Sequence, residues 1–382
     1  MFFDLIAAVA SSSPAAAPDL VQERFLSALA LLEAGRAVEA VSLLRVLYAT
    51  APTPRIRLEL ARALMLTEHW EESKQLFIEA FKDDPPPVVK ANILAFINRI
   101  DRRRGKLSFT ASVARYDNPL QQPGAYTLNF AGIDLTFEPD ATYRKQWGVN
   151  VGGTYAKEFR SGWQLSTAAN YRELPGNMAD RLTADLSLSR QFRSTPLEIK
   201  LGATRLDQIG QSFTLPYAQA AYAFSLSNQS AIRPTVTLGY YIADAGKSGS
   251  GVQAEAFVPL VHSPLPTKFF AIGPTILKHS AGYGEQAYTS VGIRGLASIQ
   301  TEKFNVELGA QGTITHFDAV DPFWGVRRKD RGLFASAMVS SFKVRLGPFV
   351  PAFGVTCSVT GSTVDYYRQQ GCDTLFEVRK IF

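Results

Sequence analysis

Residues 147–155 read WGVNVGGTY and residues 163–172 read WQLSTAANYR, and both stretches alternate apolar with small or polar side chains. In the first stretch, Val149 and Val151 are separated by a single polar residue. Successive side chains of a β-strand point to opposite faces of the sheet, so a period of two indicates strands with one apolar face. The same period recurs in residues 182–189, 197–204 and 304–311. The chain from residue 105 onward is therefore predicted to be a long series of β-strands.

A soluble β-sandwich and a membrane β-barrel both produce this alternation, but they differ in the length and number of their strands. Membrane barrels have strands of about ten residues with aromatic side chains near both ends. Here aromatic residues stand at both ends of two strands, in the pairs Trp147 with Tyr155 and Trp163 with Tyr171. Because single-chain bacterial barrels contain an even number of strands, the pattern predicts an antiparallel transmembrane β-barrel of about 14 strands over residues 105–382.

The end of the chain carries a second, independent signal for an outer-membrane barrel. Phe376 and Val378 share one face of the final predicted strand, and the sequence ends at Phe382. A last strand that ends in an aromatic residue is similar to the signal by which bacterial outer-membrane proteins are recognised for insertion. Lys380 interrupts the apolar face of this segment. We predict that Phe376, Val378 and Phe382 form a barrel insertion signal, with the barrel-assembly machinery as a partner.

The first hundred residues have a helical period instead. Phe25, Leu29 and Leu32 follow the spacing of one helix face. Gly35 and two proline-containing stretches, which begin at Pro52 and Pro85, separate the helices. The predicted helices span residues 19–34, 37–50, 54–67, 70–83 and 87–103.

These helices form a repeat. A shift of 33 residues places Leu44 on Phe77 and Pro52 on Pro85. Tetratricopeptide repeats have a period close to 34 residues, and each repeat is a pair of antiparallel helices. We therefore predict a short tetratricopeptide α-solenoid over residues 19–104. A chain that joins such a solenoid to a barrel belongs to a two-part α+β fold class.

A tetratricopeptide solenoid binds extended or helical peptide segments on its concave face, which the first helix of each repeat lines. The repeat alignment predicts that six residues point to this face: Gln22, Phe25, Leu29, Arg55, Leu58 and Arg62. Ordinary packing between helices explains Leu29 and Leu58 equally well, so both interpretations stay open for these two residues.

The composition excludes several classes of function. Among the 382 residues, 40 Lys and Arg stand against 34 Asp and Glu, and the basic residues are scattered, so no nucleic-acid partner is predicted. No run of 18 apolar residues is present that would form a membrane-spanning helix. Residues 1–18 contain an apolar stretch but no basic residue, which fits either a flexible N-terminus or the remnant of a signal peptide.

The remaining candidate chemistry is sparse. Cys357 and Cys372 flank the predicted loop between the last two strands, on the cell surface, where a disulfide persists because the environment is oxidising. We expect a disulfide there, the alternative being two unrelated thiols. The four histidines are far apart in sequence, and no nucleophile elbow, phosphate loop or dinucleotide fingerprint occurs. No metal, cofactor or enzyme activity is predicted.

The order of these parts resembles a known family. Residues 84–118 read DPPPVVKANILAFINRIDRRRGKLSFTASVARYDN. This stretch resembles the proline-led linking helix and the first strand, ending in an Asp-Asn element, of the surface lipoprotein assembly modulators (Slam), also called type XI secretion translocons. In this chain Asp117-Asn118 is followed by Pro119-Leu120, where the family usually continues with another asparagine. The helical region is also shorter than in the best-known members.

The resemblance implies an outer-membrane translocon that exports one or a few surface lipoproteins or secreted proteins. It implies a periplasmic solenoid, a client protein and possible periplasmic chaperones as partners, and a monomeric barrel surrounded by outer-membrane lipid. Two alternatives from other classes remain. A polysaccharide exporter also combines tetratricopeptide repeats with a barrel, and a simple porin would need only the barrel.

Overall fold

The computed structural model describes most of the chain. It leaves out residues 1–17, 120–122, 124, 131–132, 139–144, 160, 177–179, 193, 209–211, 245–248, 266, 302, 342, 345–346, 348 and 381–382, and also the side chains of residues 18, 19, 128–130 and 380. The chain divides into two compact units, one that ends at Arg104 and one that begins at Gly105.

The first unit consists of five α-helices among the described residues. They are α1 (Pro18–Glu33), α2 (Ala37–Thr50), α3 (Pro54–Leu66), α4 (Trp70–Lys82) and α5 (Pro87–Arg104). The five predicted helices are confirmed, and each end lies within one residue of its predicted position. Local chemistry fixes these ends: Gly35 adopts a left-handed φ of +75° after α1, and the Thr53 hydroxyl accepts the Ile56 backbone N–H, 3.3 Å away, at the start of α3.

Small and bulky residues alternate in the core of this unit. Ala28, Ala40 and Ala61 are fully buried, which brings neighbouring helices close together, and Leu44 and Phe77 fill the space between them. One polar contact supports this packing, because the buried Ser73 hydroxyl donates a hydrogen bond to the Ala61 carbonyl at 2.7 Å.

No helix in the described part of the chain is both long and apolar enough to cross a bilayer.

The second unit is a closed antiparallel barrel. Its strands are β1 (Lys106–Tyr116), β4 (Gln146–Glu158), β5 (Trp163–Glu173), β6 (Arg181–Gln191), β7 (Leu197–Gln208), β8 (Phe213–Tyr222), β9 (Phe224–Ser225), β10 (Ser230–Ile232), β11 (Thr235–Ala243), β12 (Gly251–Phe257), β13 (Leu260–Leu265), β14 (Lys268–Ala281), β15 (Tyr288–Gln300), β16 (Phe304–Val320), β17 (Arg327–Ser341), β18 (Phe349–Ser362) and β19 (Gln369–Lys380). Strands that follow one another along the chain pair side by side, except for three pairs of short segments that each form one strand, and β1 pairs with β19 to close the barrel. A separate hairpin of β2 (Tyr126–Phe130) and β3 (Ile133–Phe137) lies in the connection between β1 and β4.

Three of the barrel strands are interrupted. The segments β8 and β9, β10 and β11, and β12 and β13 each continue one another along the wall. Pro234 lies at the second break and Pro259 at the third, and proline interrupts a ladder because it has no backbone N–H to donate. Counted in this way, the described residues form a barrel of fourteen strands, and the predicted antiparallel barrel is confirmed.

The two faces of the wall differ in polarity. The side chains of Val151, Ile293 and Leu333 are 56%, 60% and 67% exposed on one face. The other face is the interior, because Arg379 of β19 reaches Glu307 of β16, three strands away, with 3.3 Å between Nη1 and Oε1. The barrel thus has an apolar exterior and a polar lumen, as membrane-spanning barrels do.

The cysteines occupy a different place from the predicted one. Cys357 and Cys372 are bonded at an S–S distance of 2.13 Å, and they are directly opposite each other in the β18–β19 ladder. They lie inside the two strands and do not flank the loop, which comprises only residues 363–368. In the sequence, the polar residues at the ends of β18 and β19 resemble a loop. In the structure they belong to the two strands, because strand positions that face the lumen are polar.

Candidate functional site

The predicted peptide-binding face of the helical unit contains core residues as well as exposed ones. Phe25 is 9% exposed and belongs to the core, and the Arg55 guanidinium lies 5.3 Å from the centre of its ring. Leu29 and Leu58 are partly buried and pack against the same core. For these two leucines the structure therefore shows the packing between helices.

Three of the six predicted residues remain exposed to solvent. Gln22 and Arg55 are exposed, and Arg62, whose side chain is 47% exposed, lies 3.5 Å from the Glu59 carboxylate on the same helix. An exposed ion pair of this length constrains the arginine little, because water screens the charges. Gln22, Arg55 and Arg62 are thus free to contact a partner, and client binding by this face stays a prediction.

The lumen wall is lined by hydroxyl groups and by ion pairs that join neighbouring or more distant strands. Arg294 of β15 pairs with Glu255 of β12 at 3.0 Å, and the same arginine donates to the Gln311 side chain at 3.3 Å. The Thr315 hydroxyl donates to the Ser290 hydroxyl at 2.9 Å. A wall of this kind offers hydrogen bonds to water or to a solute throughout the described lumen.

An unbroken row of rings crosses this polar wall, and we call it the aromatic arc. Its members contact one another in the order Phe213, Tyr241, His279, Tyr288 and Phe317, with ring centroids 4.5, 5.3, 5.4 and 5.5 Å apart. The five rings come from β8, β11, β14, β15 and β16. The arc therefore runs across the strands, and a solute that moves along the barrel axis meets it once.

A glycine allows two of these rings to meet. The Tyr241 and His279 rings touch across β12, where Gly251 pairs directly with Tyr241. A Cβ atom on Gly251 would lie 1.4 Å from the Ser280 carbonyl oxygen, so no other residue fits. His279 is 6% exposed, and its Nδ1 has no hydrogen-bond partner among the described residues.

The arc continues into the turn between β18 and β19. The Arg328 guanidinium lies 4.4 Å from the centre of the Phe317 ring and 3.4 Å from that of Tyr367, and it pairs with Asp330 at 2.6 Å. The Tyr367 hydroxyl donates to the Asp321 carboxylate at 3.2 Å. Burial raises the pKa of the Tyr367 phenol, and the charge of Asp321 and its hydrogen bond raise it further.

Sequence analysis did not predict the arc. Its members stand at lumen positions of their strands, where the alternation calls for polar residues, and two of them are Tyr241 and Tyr288. Aromatic residues at polar positions of several neighbouring strands are the signal that would have revealed it. The sequence does not show that these positions share one level of the wall, because that depends on the register between strands.

The predicted insertion signal is only partly within the described residues. Phe376 is 51% exposed on the apolar exterior, and Val378 stands two residues further on the same strand, opposite Pro351. Phe382 lies outside the described residues. Recognition by an assembly machinery stays a prediction for these three residues.

No group of three or more His, Cys, Asp or Glu side chains among the described residues is arranged to hold a metal ion.

No protein-family model and no curated protein sequence matches the chain. Solved structures resemble it in fold. A bacterial polysaccharide outer membrane secretin is 11% identical with a TM-score of 0.41, and the match covers 72% of this chain and 98% of the secretin. The outer membrane channel DcaP of Acinetobacter baumannii is 7% identical with a TM-score of 0.40, covering 72% of this chain and 96% of the channel. The NanC porin is 9% identical with a TM-score of 0.34, covering 72% of this chain and all of the porin. Similarity at this level assigns neither a family nor a substrate.

Proposed function

We propose that this protein is an outer-membrane translocon, which carries one or a few surface lipoproteins or secreted proteins from the periplasm to the cell surface. The observation that carries the proposal is the direct covalent connection between a barrel and a five-helix unit whose sequence predicts a tetratricopeptide repeat. Helix α5 ends at Arg104 and strand β1 begins at Lys106, so only one residue separates them. A repeat unit of this type recognises peptide segments, and a barrel with a polar lumen provides a passage through lipid.

In the proposed mechanism the helical unit, in the periplasm, captures an unfolded client or the chaperone that carries it. The exposed Gln22, Arg55 and Arg62 provide hydrogen bonds and positive charge for this capture. The client then passes to the barrel, whose lumen offers hydroxyl groups in place of water. Folding or binding of the client outside the cell provides the driving force.

The test reverses the charge of the proposed capture face. The double variant Arg55→Glu/Arg62→Glu should lower the amount of client on the cell surface severalfold, because two attractive contacts become repulsive. Surface proteins are released from intact cells by protease shaving and quantified by mass spectrometry, with a strain that lacks the gene as reference. The matched control is Arg36→Glu/Arg45→Glu, which changes the same charge on exposed residues at the start of and within α2.

Two results would contradict the proposal. A surface proteome that is unchanged when the gene is removed would rule out a selective translocon under the conditions used. Normal export by a correctly inserted Arg55→Glu/Arg62→Glu variant would rule out capture by this face. Equal loss in the control variant would indicate a general effect of charge.

A second candidate function is polysaccharide export, and the aromatic arc is the observation that favours it. The apolar C–H faces of sugar rings pack well against aromatic rings, and the arc provides a row of such rings in a hydroxyl-rich wall. Loss of extracellular polysaccharide in the deletion strain, with an unchanged surface proteome, would favour this function over protein export.

A further inference from the structure

Two arginines face each other on the lumen wall. Arg172 of β5 and Arg181 of β6 are direct partners in the β5–β6 ladder. The Arg172 guanidinium lies 4.9 Å from the centre of the Tyr116 ring, and the Tyr116 hydroxyl donates to the Asn150 side chain at 2.6 Å. Tyr116 and Asn150 stand at lumen-facing positions of β1 and β4, and Arg172 is directly opposite Asn150, so the two arginines also point into the lumen.

The charge of Arg172 is partly compensated by acidic groups. Asp373 interacts with Arg172, and its Oδ1 also accepts the Asp117 backbone N–H at 2.9 Å. The Asp117 carboxylate in turn accepts the Cys372 backbone N–H at 3.4 Å. These contacts place negative charge on the side of Arg172 that faces β19.

Arg181 has no such compensation. Its side chain makes no hydrogen bond or ion pair with any residue that the structure describes, and its Nε is buried without an acceptor. Its charged neighbour is Arg172, across the ladder. Like charges directly opposite each other destabilise a strand pair, and a buried donor without an acceptor is also unfavourable. A bound anion would remove both penalties.

We propose that Arg172 and Arg181 form a binding site for a phosphate group in the lumen. Guanidinium groups present parallel N–H donors that match the oxygens of phosphate and carboxylate. Two guanidinium groups provide two positive charges, which favours the doubly charged phosphate over the singly charged carboxylate. The phosphate comes either from the free ion or from a phosphorylated solute that enters the barrel. This site is independent of the proposed export function.

Calorimetric titration of the full-length protein in lipid nanodiscs tests the site. Inorganic phosphate should bind saturably, and Arg181→Gln should weaken its affinity at least tenfold, because the unpaired donor and one charge are lost. Arg190→Gln is the matched control, since Arg190 belongs to the same strand but lies over Trp163, at 5.7 Å from its ring, on the exterior. Arg181→Lys keeps the charge and should retain part of the affinity, which separates a binding defect from a folding defect.

Further titrations identify the ligand. Glucose 1-phosphate that binds more tightly than inorganic phosphate would indicate a phosphorylated solute, and equal affinity would indicate the free ion. Both results support the site. Tighter binding of acetate than of phosphate would overturn the assignment to phosphate. Absence of saturable phosphate binding, or an equal affinity in the wild type and in Arg181→Gln, would overturn the site itself.

Discussion

We predict that the ion pair between Lys74 of α4 and Asp101 of α5 stabilises the packing of these two helices. The distance between Nζ and Oδ1 is 2.6 Å, and the side chains are only 19% and 9% exposed. Removal of one partner of a buried pair costs about 3–5 kcal/mol, because the other charge remains buried. Lys74 is partly exposed and can turn its ammonium group toward water, so we expect about 2–3 kcal/mol for Asp101→Ala.

The predicted loss is local, and hydrogen–deuterium exchange of the full-length protein measures it. Amides of α5 should exchange roughly 30- to 150-fold faster in Asp101→Ala, since about 1.4 kcal/mol corresponds to a factor of ten. Glu72→Ala is the matched control. It breaks the Arg45–Glu72 pair, which also joins two helices at 2.5 Å but has both side chains nearly half exposed. Exposed pairs contribute less than about 1 kcal/mol. Equal exchange rates in Asp101→Ala and wild type would refute the stabilising role of the buried pair.

Two further predictions concern the barrel. Gly251→Ala should prevent the pairing of β12 with β14, because its Cβ would overlap the Ser280 carbonyl. Gly361→Ala is the control and should fold normally, because the nearest atom to its Cβ is 4.0 Å away. The folded fraction is read from heat-modifiable migration on gels. The raised pKa of Tyr367 means that the fold prefers the neutral phenol, so its contribution to stability is complete below the ordinary tyrosine pKa of about 10 and is lost as the pH rises through the raised value. Between about pH 8 and 11, the melting temperature should therefore fall more steeply with rising pH in the wild type than in Tyr367→Phe. Parallel curves for the two proteins would show that burial and Asp321 do not control the ionisation of Tyr367.

The helical ends and the barrel could be predicted from local signals. Gly35 and the prolines at positions 54 and 87 mark helix ends through backbone constraints that act within a few residues. The strands were visible because lipid demands an apolar side chain at every second position. The hairpin of β2 and β3 was not predicted as a separate sheet, because two short strands outside the wall carry the same local pattern as strands within it.

The burial and the neighbours of the site residues could not be predicted, because they depend on contacts between segments that are distant in the sequence. Phe25 was expected on the binding face, yet it lies under Arg55, because helix–helix packing distances decide which apolar residues are covered. The opposition of Arg172 and Arg181 follows from the register of β5 with β6, and register depends on the whole pair of strands and their turn.

The bond between Cys357 and Cys372 bears on how the barrel is assembled. These residues are opposite each other in the final hairpin, and β19 is also the strand that meets β1 to complete the circle. A covalent link between opposed residues permits one alignment of β18 and β19 and excludes a slip by two positions, which would keep the same faces inside and outside. Oxidation before insertion would thus fix the alignment of β19 with β18 before β19 pairs with β1. The pairing of β1 with β19, which completes the barrel, would then start from a final hairpin in its correct register.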